Sequence, residues 1–280
     1  MAKFILSAFA DEYSPNIDEQ IIGLQKNGVE FMEIRGVDGT NIAEISLDKA
    51  KEVKAKLDAG GIRVSSMGSP IGKIDIADDF EAHKEKLRHV IDLAHVFECD
   101  RIRMFSFYHK NVTAEDARGP VMERLGALLD IARPEKMILC HENECNIYGD
   151  VAERCLDIQK EFNGEIKCIF DHANFICSNC QPFPYAFDLL KPYIYYLHIK
   201  DASADKQMMP AGAGIGCIPE TLNALRDVDH TFFLTVEPHL RVFKGLEKLE
   251  NRADGGKVQN QFATAEEAFA CAVSAIKQYI

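Results

Sequence analysis

Short apolar segments alternate along the chain with longer segments whose apolar positions recur at helical spacing. The short segments are rich in aliphatic and aromatic residues and are typical of strands buried in a parallel sheet. The strands that this pattern predicts are Phe4–Ala8, Phe31–Ile34, Ile62–Ser66, Ile102–Phe105, Met137–His141, Ile166–Phe170, Ile194–Ile199 and Phe232–Val236. The predicted helices are Ile17–Lys26, Asp48–Ala59, Phe80–Phe97, Ala114–Ile131, Val151–Glu161, Tyr185–Leu190, Pro219–Arg226 and Ala265–Gln278. Repeated alternation of strand and helix indicates βαβ units.

The alternation runs through the whole chain without a composition change or a Pro/Ser-rich linker. Dividing 280 residues by eight gives 35 per unit, enough for a strand, a helix and two loops. Thr113 and Thr264 each precede an acidic residue by three positions, which is the capping-box pattern that begins a helix. We therefore predict an α/β protein in which residues 1–280 form one domain, a single (β/α)8 TIM barrel.

One segment is too long for this repeat. Residues 238–262 lie between the last predicted strand and the last predicted helix, where two to six residues are usual. The segment carries basic side chains in an otherwise acidic protein: Arg241, Lys244, Lys248, Arg252 and Lys257. A lid, a contact with a substrate anion, a subunit contact and a solvated loop all stay open.

Composition narrows the class of protein. Hydrophobic residues make up 47% and charged residues 27%, as in globular chains with a large core, and the net charge is −12. Such acidity disfavours nucleic acid and anionic membranes as partners, and no apolar run approaches the ~20 residues of a membrane span. The nine cysteines are an odd number and no secretion signal is recognised, so we expect free thiols. The expected protein is cytoplasmic and homo-oligomeric, with no nucleic-acid or membrane partner.

Four successive predicted strands end in residues that bind metals. In a TIM barrel the carboxyl end of each strand faces the active-site mouth, which brings together Glu142, Asp171, His198 and Glu237. Three converging carboxylates would repel one another without a cation among them. Three oxygen ligands and one imidazole suit a divalent metal, most naturally Mn²⁺, with Mg²⁺, Co²⁺ or Zn²⁺ as alternatives.

The motifs around these residues are His-Glu142-Asn, Asp171-His-Ala-Asn174, His198-Ile-Lys-Asp201 and Glu237-Pro-His. They resemble the xylose isomerase-like barrel superfamily, in its sugar phosphate isomerase/epimerase group, and the resemblance covers essentially the whole chain. It implies one divalent metal held by Glu142, Asp171, His198 and Glu237, with the two glutamates also acting as acid/base groups.

The expected reaction follows from this arrangement. A metal that bridges the carbonyl and adjacent hydroxyl of a ketose acidifies the neighbouring C–H, and Glu142 and Glu237 could remove and return the proton. We therefore expect an isomerase or epimerase of a ketose or related small carbohydrate. A lyase or dehydratase acting on a keto-inositol or 3-oxo-glycoside, and a non-catalytic barrel subunit, stay open. The sequence leaves open whether the substrate is phosphorylated.

Further side chains near the strand ends are candidates for substrate binding: Asn174, Lys200, Glu33 and His109. Asn174 stands where related epimerases often carry a histidine, and an amide can hydrogen-bond a sugar hydroxyl but cannot exchange a proton with it. The glycine-rich stretch 212–216 indicates either a flexible loop over the site or a phosphate contact. The extra histidines of the three-zinc DNA-repair endonucleases on this barrel are missing, so that activity is not expected.

Overall fold

Eight parallel strands close into a barrel in the computed structural model, which describes residues 1–243 and 257–280. The barrel strands are β1 Lys3–Ala8, β2 Phe31–Ile34, β3 Arg63–Ile71, β4 Arg101–Met104, β5 Ile138–Glu142, β6 Lys167–Asp171, β7 Ile194–Ile199 and β8 Thr231–Val236. Each strand pairs with its sequence neighbours, and β8 closes on β1 with Lys3 opposite Thr231 and Ala8 opposite Val236. The predicted (β/α)8 TIM barrel is confirmed.

Helices surround this barrel. They are α1 Ile17–Lys26, α2 Leu47–Ala59, α3 Phe80–Val96, α4 Ala114–Ala132, α5 Ala152–Glu161, α6 His172–Cys177, α7 Phe187–Leu190, α8 Ile218–Leu225 and α9 Ala265–Lys277. Thr113 and Thr264 cap α4 and α9 as predicted, and Thr264 forms the full capping box with Glu267. Among the described residues, no helix has the length and apolar character needed to span a bilayer.

Two features depart from the predicted elements. Strand β3 continues to Ile71, five residues beyond its predicted end at Ser66. Helix α6 was not predicted: it begins directly after β6, because the Asp171 side chain accepts a hydrogen bond from the Asn174 backbone N–H and caps the helix. Asp171 therefore ends a strand and begins a helix at once, which places its carboxylate at the barrel mouth.

The long segment 238–262 is tied at its base. The backbone N–H of Gln261 donates to the Leu240 carbonyl (3.2 Å), and the N–H of Val242 donates to Asn260 Oδ1 (3.0 Å). Three of its basic residues, Lys244, Lys248 and Arg252, lie outside the described residues. These contacts bring residues 240–242 beside 260–261.

Candidate metal centre

Four strand ends converge at the carboxyl-terminal mouth of the barrel. Glu142 ends β5, Asp171 ends β6, His198 lies in β7 and Glu237 follows β8. Each side chain offers a ligand atom, these atoms lie within 4.8 Å of one another, and the residues are at most 4% exposed. His198 Nδ1 lies 2.9 Å from Glu142 Oε1, 3.8 Å from Glu237 Oε2 and 4.0 Å from Asp171 Oδ2. The structure thus brings together the four residues predicted as metal ligands, which we call the four-residue centre.

Local backbone contacts fix Asp171. Strand pairing sets Asp171 opposite His198, and the Asn143 amide brackets the Asp171 backbone with bonds of 2.9 and 3.0 Å. One carboxylate oxygen of Asp171, Oδ1, is used to cap α6. The other, Oδ2, receives no hydrogen bond from the described residues, although the Lys200 ammonium lies 3.1 Å away. Asp171 therefore presents one oxygen to the centre.

Glu33 lies behind His198 inside the barrel. Its fully buried carboxylate accepts hydrogen bonds from Tyr196 Oη (3.1 Å) and Thr235 Oγ1 (2.9 Å), and its Oε2 is 3.1 Å from His198 Nε2. Burial lowers the pKa of His198, but the carboxylates of Glu142 and Glu33 outweigh it and raise that pKa to about 10. An Nε2–H bonded to Glu33 leaves Nδ1 facing the other ligands. These bonds point to a positioning role for Glu33 toward His198. Sugar binding by Glu33 stays a prediction.

An arginine holds each of the two glutamates. Arg103 NH1 is 3.2 Å from Glu142 Oε2, and Arg35 NH1 is 3.0 Å from Glu237 Oε1. The Phe9 ring contacts both guanidinium groups, whose central carbons lie 4.2 Å (Arg35) and 5.0 Å (Arg103) from its centroid. Both glutamates thus have one oxygen toward the four-residue centre and one oxygen on an arginine.

These charges keep both glutamates ionised. Burial raises the pKa of Glu142, but His198 and Arg103 more than offset it, and the pKa falls to about 2. For Glu237, burial likewise opposes the neighbouring cations, chiefly Lys200, and the pKa lies well below its usual range. Both carboxylates are therefore unprotonated near neutral pH and able to bind a cation or accept a proton.

Two predicted substrate-binding residues contact the four-residue centre. Lys200 Nζ is 2.8 Å from Glu237 Oε2, and Asn174 Nδ2 is 3.2 Å from Glu142 Oε1. The Asn174 Oδ1 atom is buried and has no hydrogen-bond partner among the described residues. His109, by contrast, is half-buried in the loop after β4, with Nδ1 3.2 Å from the Val112 carbonyl oxygen. Sugar binding by these three residues stays a prediction.

A second cluster of possible ligands adjoins the first: Glu12, Glu237 and His239. The guanidinium of Arg35 lies in this cluster, with NH2 3.2 Å from Glu12 Oε1 and NH1 3.0 Å from Glu237 Oε1. A cation of the protein thus already pairs with both carboxylates of this cluster. Sequence reasoning missed Glu12. The strand-end rule could have found it, since Glu12 follows β1 by only a few residues.

The glycine-rich loop after β7 is folded around Asp201. The Oδ1 atom of Asp201 accepts from the backbone N–H groups of Ala202 (2.8 Å) and Gly216 (2.9 Å), and Oδ2 accepts from those of Gly212 (3.0 Å) and Gly214 (3.1 Å). A Cβ on Gly214 would lie 2.3 Å from both Asp201 Oδ1 and the Ala202 carbonyl oxygen, which explains the glycine. The N–H groups that could bind a phosphate therefore bind a carboxylate of the protein.

The donor set fits a divalent cation. Three carboxylates and one imidazole converge in a buried site, and Asp171 Oδ2 lacks a hydrogen-bond donor among the described residues. Burial raises the pKa of Asp171 to about 7 even though Lys200 lowers it, so the local cations only partly compensate its charge. A divalent ion would supply the missing positive charge. Fold and site together define a TIM barrel with a carboxylate–histidine centre at its mouth.

The sequence profile of the xylose isomerase-like TIM barrel family matches residues 24–256, so the chain belongs to this family. This confirms the family that the motifs indicated. No protein among curated sequences matches the chain.

Several solved structures are similar to this one. The probable 3-DHS dehydratase AsbF of Bacillus anthracis, involved in petrobactin synthesis, has a TM-score of 0.74 and 18% identity, over 99% of each chain. The D-psicose 3-epimerase of Clostridium cellulolyticum H10, solved with D-tagatose, has a TM-score of 0.73 and 15% identity, over 98% of each chain. The IolI protein, solved with a zinc atom, has a TM-score of 0.70 and 17% identity, over 99% of each chain. At these identities the likeness establishes the fold alone.

Proposed function

We propose that the protein is a cytoplasmic, divalent-metal-dependent isomerase or epimerase of a ketose or related small carbohydrate. The observation that carries this proposal is the pairing of Glu142 and Glu237 within one buried centre, each with one oxygen toward the other ligands. Family membership and the likeness to D-psicose 3-epimerase support it.

Glu142, Asp171, His198 and Glu237 would hold the metal, with Mn²⁺ as the proposed ion and Mg²⁺, Co²⁺ or Zn²⁺ as alternatives. When bound, such an ion supplies Lewis acidity that makes the C–H beside a sugar carbonyl easier to deprotonate. The likeness to IolI, which was solved with a zinc atom, supports a bound divalent metal.

The proton is moved by the two glutamates. They project from β5 and β8, strands that have β6 and β7 between them, and so approach a substrate from different directions. One carboxylate accepts the proton from the carbon beside the carbonyl. Return of a proton to the same carbon with inversion gives epimerisation, and return to the neighbouring carbon gives isomerisation. Lys200 and Asn174 are proposed to orient sugar oxygens beside these groups.

Proton exchange tests the proposal directly. Purified protein loaded with Mn²⁺ is incubated in D₂O with a panel of ketoses and keto-inositols, and NMR follows deuterium entering the recovered sugar. Glu142→Gln and Glu237→Gln are expected to lose exchange by at least 10²-fold, the usual contribution of an acid/base group. Glu135→Gln, a change at an exposed residue, is the matched control and should keep wild-type exchange. Unchanged exchange in both glutamate variants would remove the proposed roles.

A lyase on the same centre is the second candidate, favoured by the likeness to a probable dehydratase. After the same proton removal, a keto-inositol would lose its β-hydroxyl as water, and a 3-oxo-glycoside would lose its glycosidic oxygen with the aglycone. Either elimination would consume the substrate and give a new enone or diketone absorbance. Irreversible substrate loss with this absorbance identifies the lyase, whereas deuterium in recovered substrate identifies the isomerase or epimerase. A non-catalytic subunit would show neither.

A further inference from the structure

Four basic side chains around the four-residue centre each pair with a carboxylate. Arg35 contacts Asp11 through two bonds of 2.8 and 3.0 Å, in addition to Glu12 and Glu237. The remaining pairs are Arg103 with Glu142 (3.2 Å), Lys200 with Glu237 (2.8 Å), and Lys73 with Glu144 (2.8 Å). Because an anionic substrate needs a cation or a set of N–H groups to bind it, these pairs are unfavourable for a phosphate or carboxylate.

The N–H groups of the loop after β7 are also engaged. In TIM barrels a phosphate site is frequently built from the loops after the seventh and eighth strands. In the loop after β7, the backbone N–H groups of Gly212, Gly214 and Gly216 donate hydrogen bonds to the Asp201 carboxylate, at 2.9–3.1 Å. A substrate phosphate would have to displace a carboxylate that accepts four backbone hydrogen bonds, counting the one from Ala202.

The formal charge around the centre is negative. Apart from the histidines, the ion pairs around the centre join six carboxylates and three permanent cations: Asp11, Glu12, Glu33, Glu142, Asp171 and Glu237, against Arg35, Arg103 and Lys200. His198 is neutral when it binds a metal. A bound divalent ion would leave one excess negative charge. There is therefore no surplus of positive charge to attract an anion.

We propose that this centre takes an uncharged carbohydrate, so that phosphate esters and sugar acids are excluded as substrates. The inference rests on the proposed function, which it narrows to free ketoses, keto-inositols and similar neutral polyols. The same contacts that keep the catalytic glutamates ionised also use up the cations that would recognise a phosphate.

The wild-type, Mn²⁺-loaded protein tests this. Two measurements are made on each member of a matched panel: D-fructose, D-psicose and D-tagatose, D-fructose 6-phosphate, a ketonic acid, and inorganic phosphate. Deuterium incorporation in D₂O reports the reaction, and protection of the protein against thermal unfolding reports binding. For D-fructose and D-fructose 6-phosphate we expect at least about 100-fold lower kcat/KM for the ester, since like charge at the site is strongly unfavourable. We also expect no protection by inorganic phosphate.

The two measurements separate the two proposals. If an uncharged sugar of the panel protects the protein but no compound of the panel exchanges deuterium, the proposed function is contradicted. The inference that the site binds an uncharged carbohydrate is then still supported. Protection or turnover by the ester or the acid equal to that of the free sugar, with inorganic phosphate competing, would overturn the inference. If Lys244, Lys248 or Arg252 bound a phosphate, the ester would bind more tightly than the free sugar, and the inference would be overturned in the same way. Lack of protection by every uncharged member would overturn it too.

Discussion

Replacing Glu33 by Gln tests how the barrel interior controls the metal centre. The Glu33 carboxylate receives hydrogen bonds from Tyr196 and Thr235 and lies 3.1 Å from His198 Nε2. Glutamine keeps the size of this side chain but removes the charge and one of its two acceptor oxygens. At least one of the three donors then faces an NH₂ group, and the imidazole loses the charged acceptor that holds Nδ1 toward the other ligands.

The magnitude follows from the kind of bond that is lost. Hydrogen bonds to charged groups contribute about 1.5–3 kcal/mol. Carboxylates that orient a ligating imidazole typically contribute 10–100-fold in metal affinity, or ~1.4–2.8 kcal/mol. We therefore expect Glu33→Gln to weaken Mn²⁺ or Zn²⁺ binding by about 10–100-fold. Thr235→Val removes a single donor to Glu33 and leaves the carboxylate beside His198, so its effect should be clearly smaller.

Metal affinity is measured by competition with a chelating dye, which needs no substrate and no assumption about the reaction. Circular dichroism and thermal melting of each variant establish that the barrel is folded. His198→Ala serves as the positive control, because it removes a ligand outright. If Glu33→Gln binds metal as tightly as the wild type while His198→Ala loses it, the reasoning about imidazole orientation is refuted.

Three further predictions concern stability. His83 Nε2 accepts the Gly72 backbone N–H (2.7 Å), and burial lowers the pKa of His83 to about 4. The unfolded chain therefore binds a proton at His83 more readily than the folded protein does. The neutral imidazole contributes fully to the unfolding free energy above pH ~6.5, and this contribution is lost as the pH falls toward 4, by up to ~3 kcal/mol. Urea unfolding between pH 7 and 4 should show that loss in the wild type but not in His83→Gln; parallel profiles would contradict it. Gly72→Ala should lower the unfolding free energy by about 3 kcal/mol, because φ is +89° and the new Cβ would lie 2.0 Å from the Phe105 carbonyl oxygen. Gly119→Ala, on an exposed helical position with open space around it, is the matched control and should raise stability by up to ~1 kcal/mol; equal effects at the two glycines would refute the steric argument. Asp201→Ala should cost about 3 kcal/mol by leaving four backbone N–H groups without their acceptor. Because sulfate stabilises folded proteins in general, it should raise the melting temperature of this variant by more than that of the wild type.

Much of the barrel and of its mouth could be predicted because both depend on local sequence. Alternating apolar segments locate the strands, and the polar residue that ends each strand must lie at one rim of a parallel barrel. That rule identifies Glu142, Asp171, His198 and Glu237 without knowledge of contacts. Depth within the barrel is not encoded locally, however. The contact of Glu33 with His198 was therefore not predicted, although Glu33 lies within β2 one residue before its end.

Other contacts depend on long-range packing. Arg103 was missed because it occupies a strand read as apolar, and only closure of the barrel sets it against Glu142, 39 residues later in the chain. The buried ring of His83 accepts the Gly72 N–H, a contact that the helical spacing of α3 does not indicate. The glycine-rich loop left a phosphate contact open, and which anion its N–H groups bind is decided by the position of Asp201.

The two hydrogen bonds at the base of segment 238–262 allow this segment to vary in length without disturbing the barrel. Gln261 N–H on Leu240 and Val242 N–H on Asn260 close a neck, so the chain leaves and re-enters the barrel at neighbouring points. Chain inserted or deleted beyond such a neck costs little more than loop-closure entropy, about 0.6 kcal/mol for each doubling of length. Glu237, held by Arg35 and Lys200, lies before the neck and is anchored independently of it. Related proteins could therefore differ in the length and sequence of this segment at the mouth of the barrel while the catalytic and metal-binding side chains keep their positions.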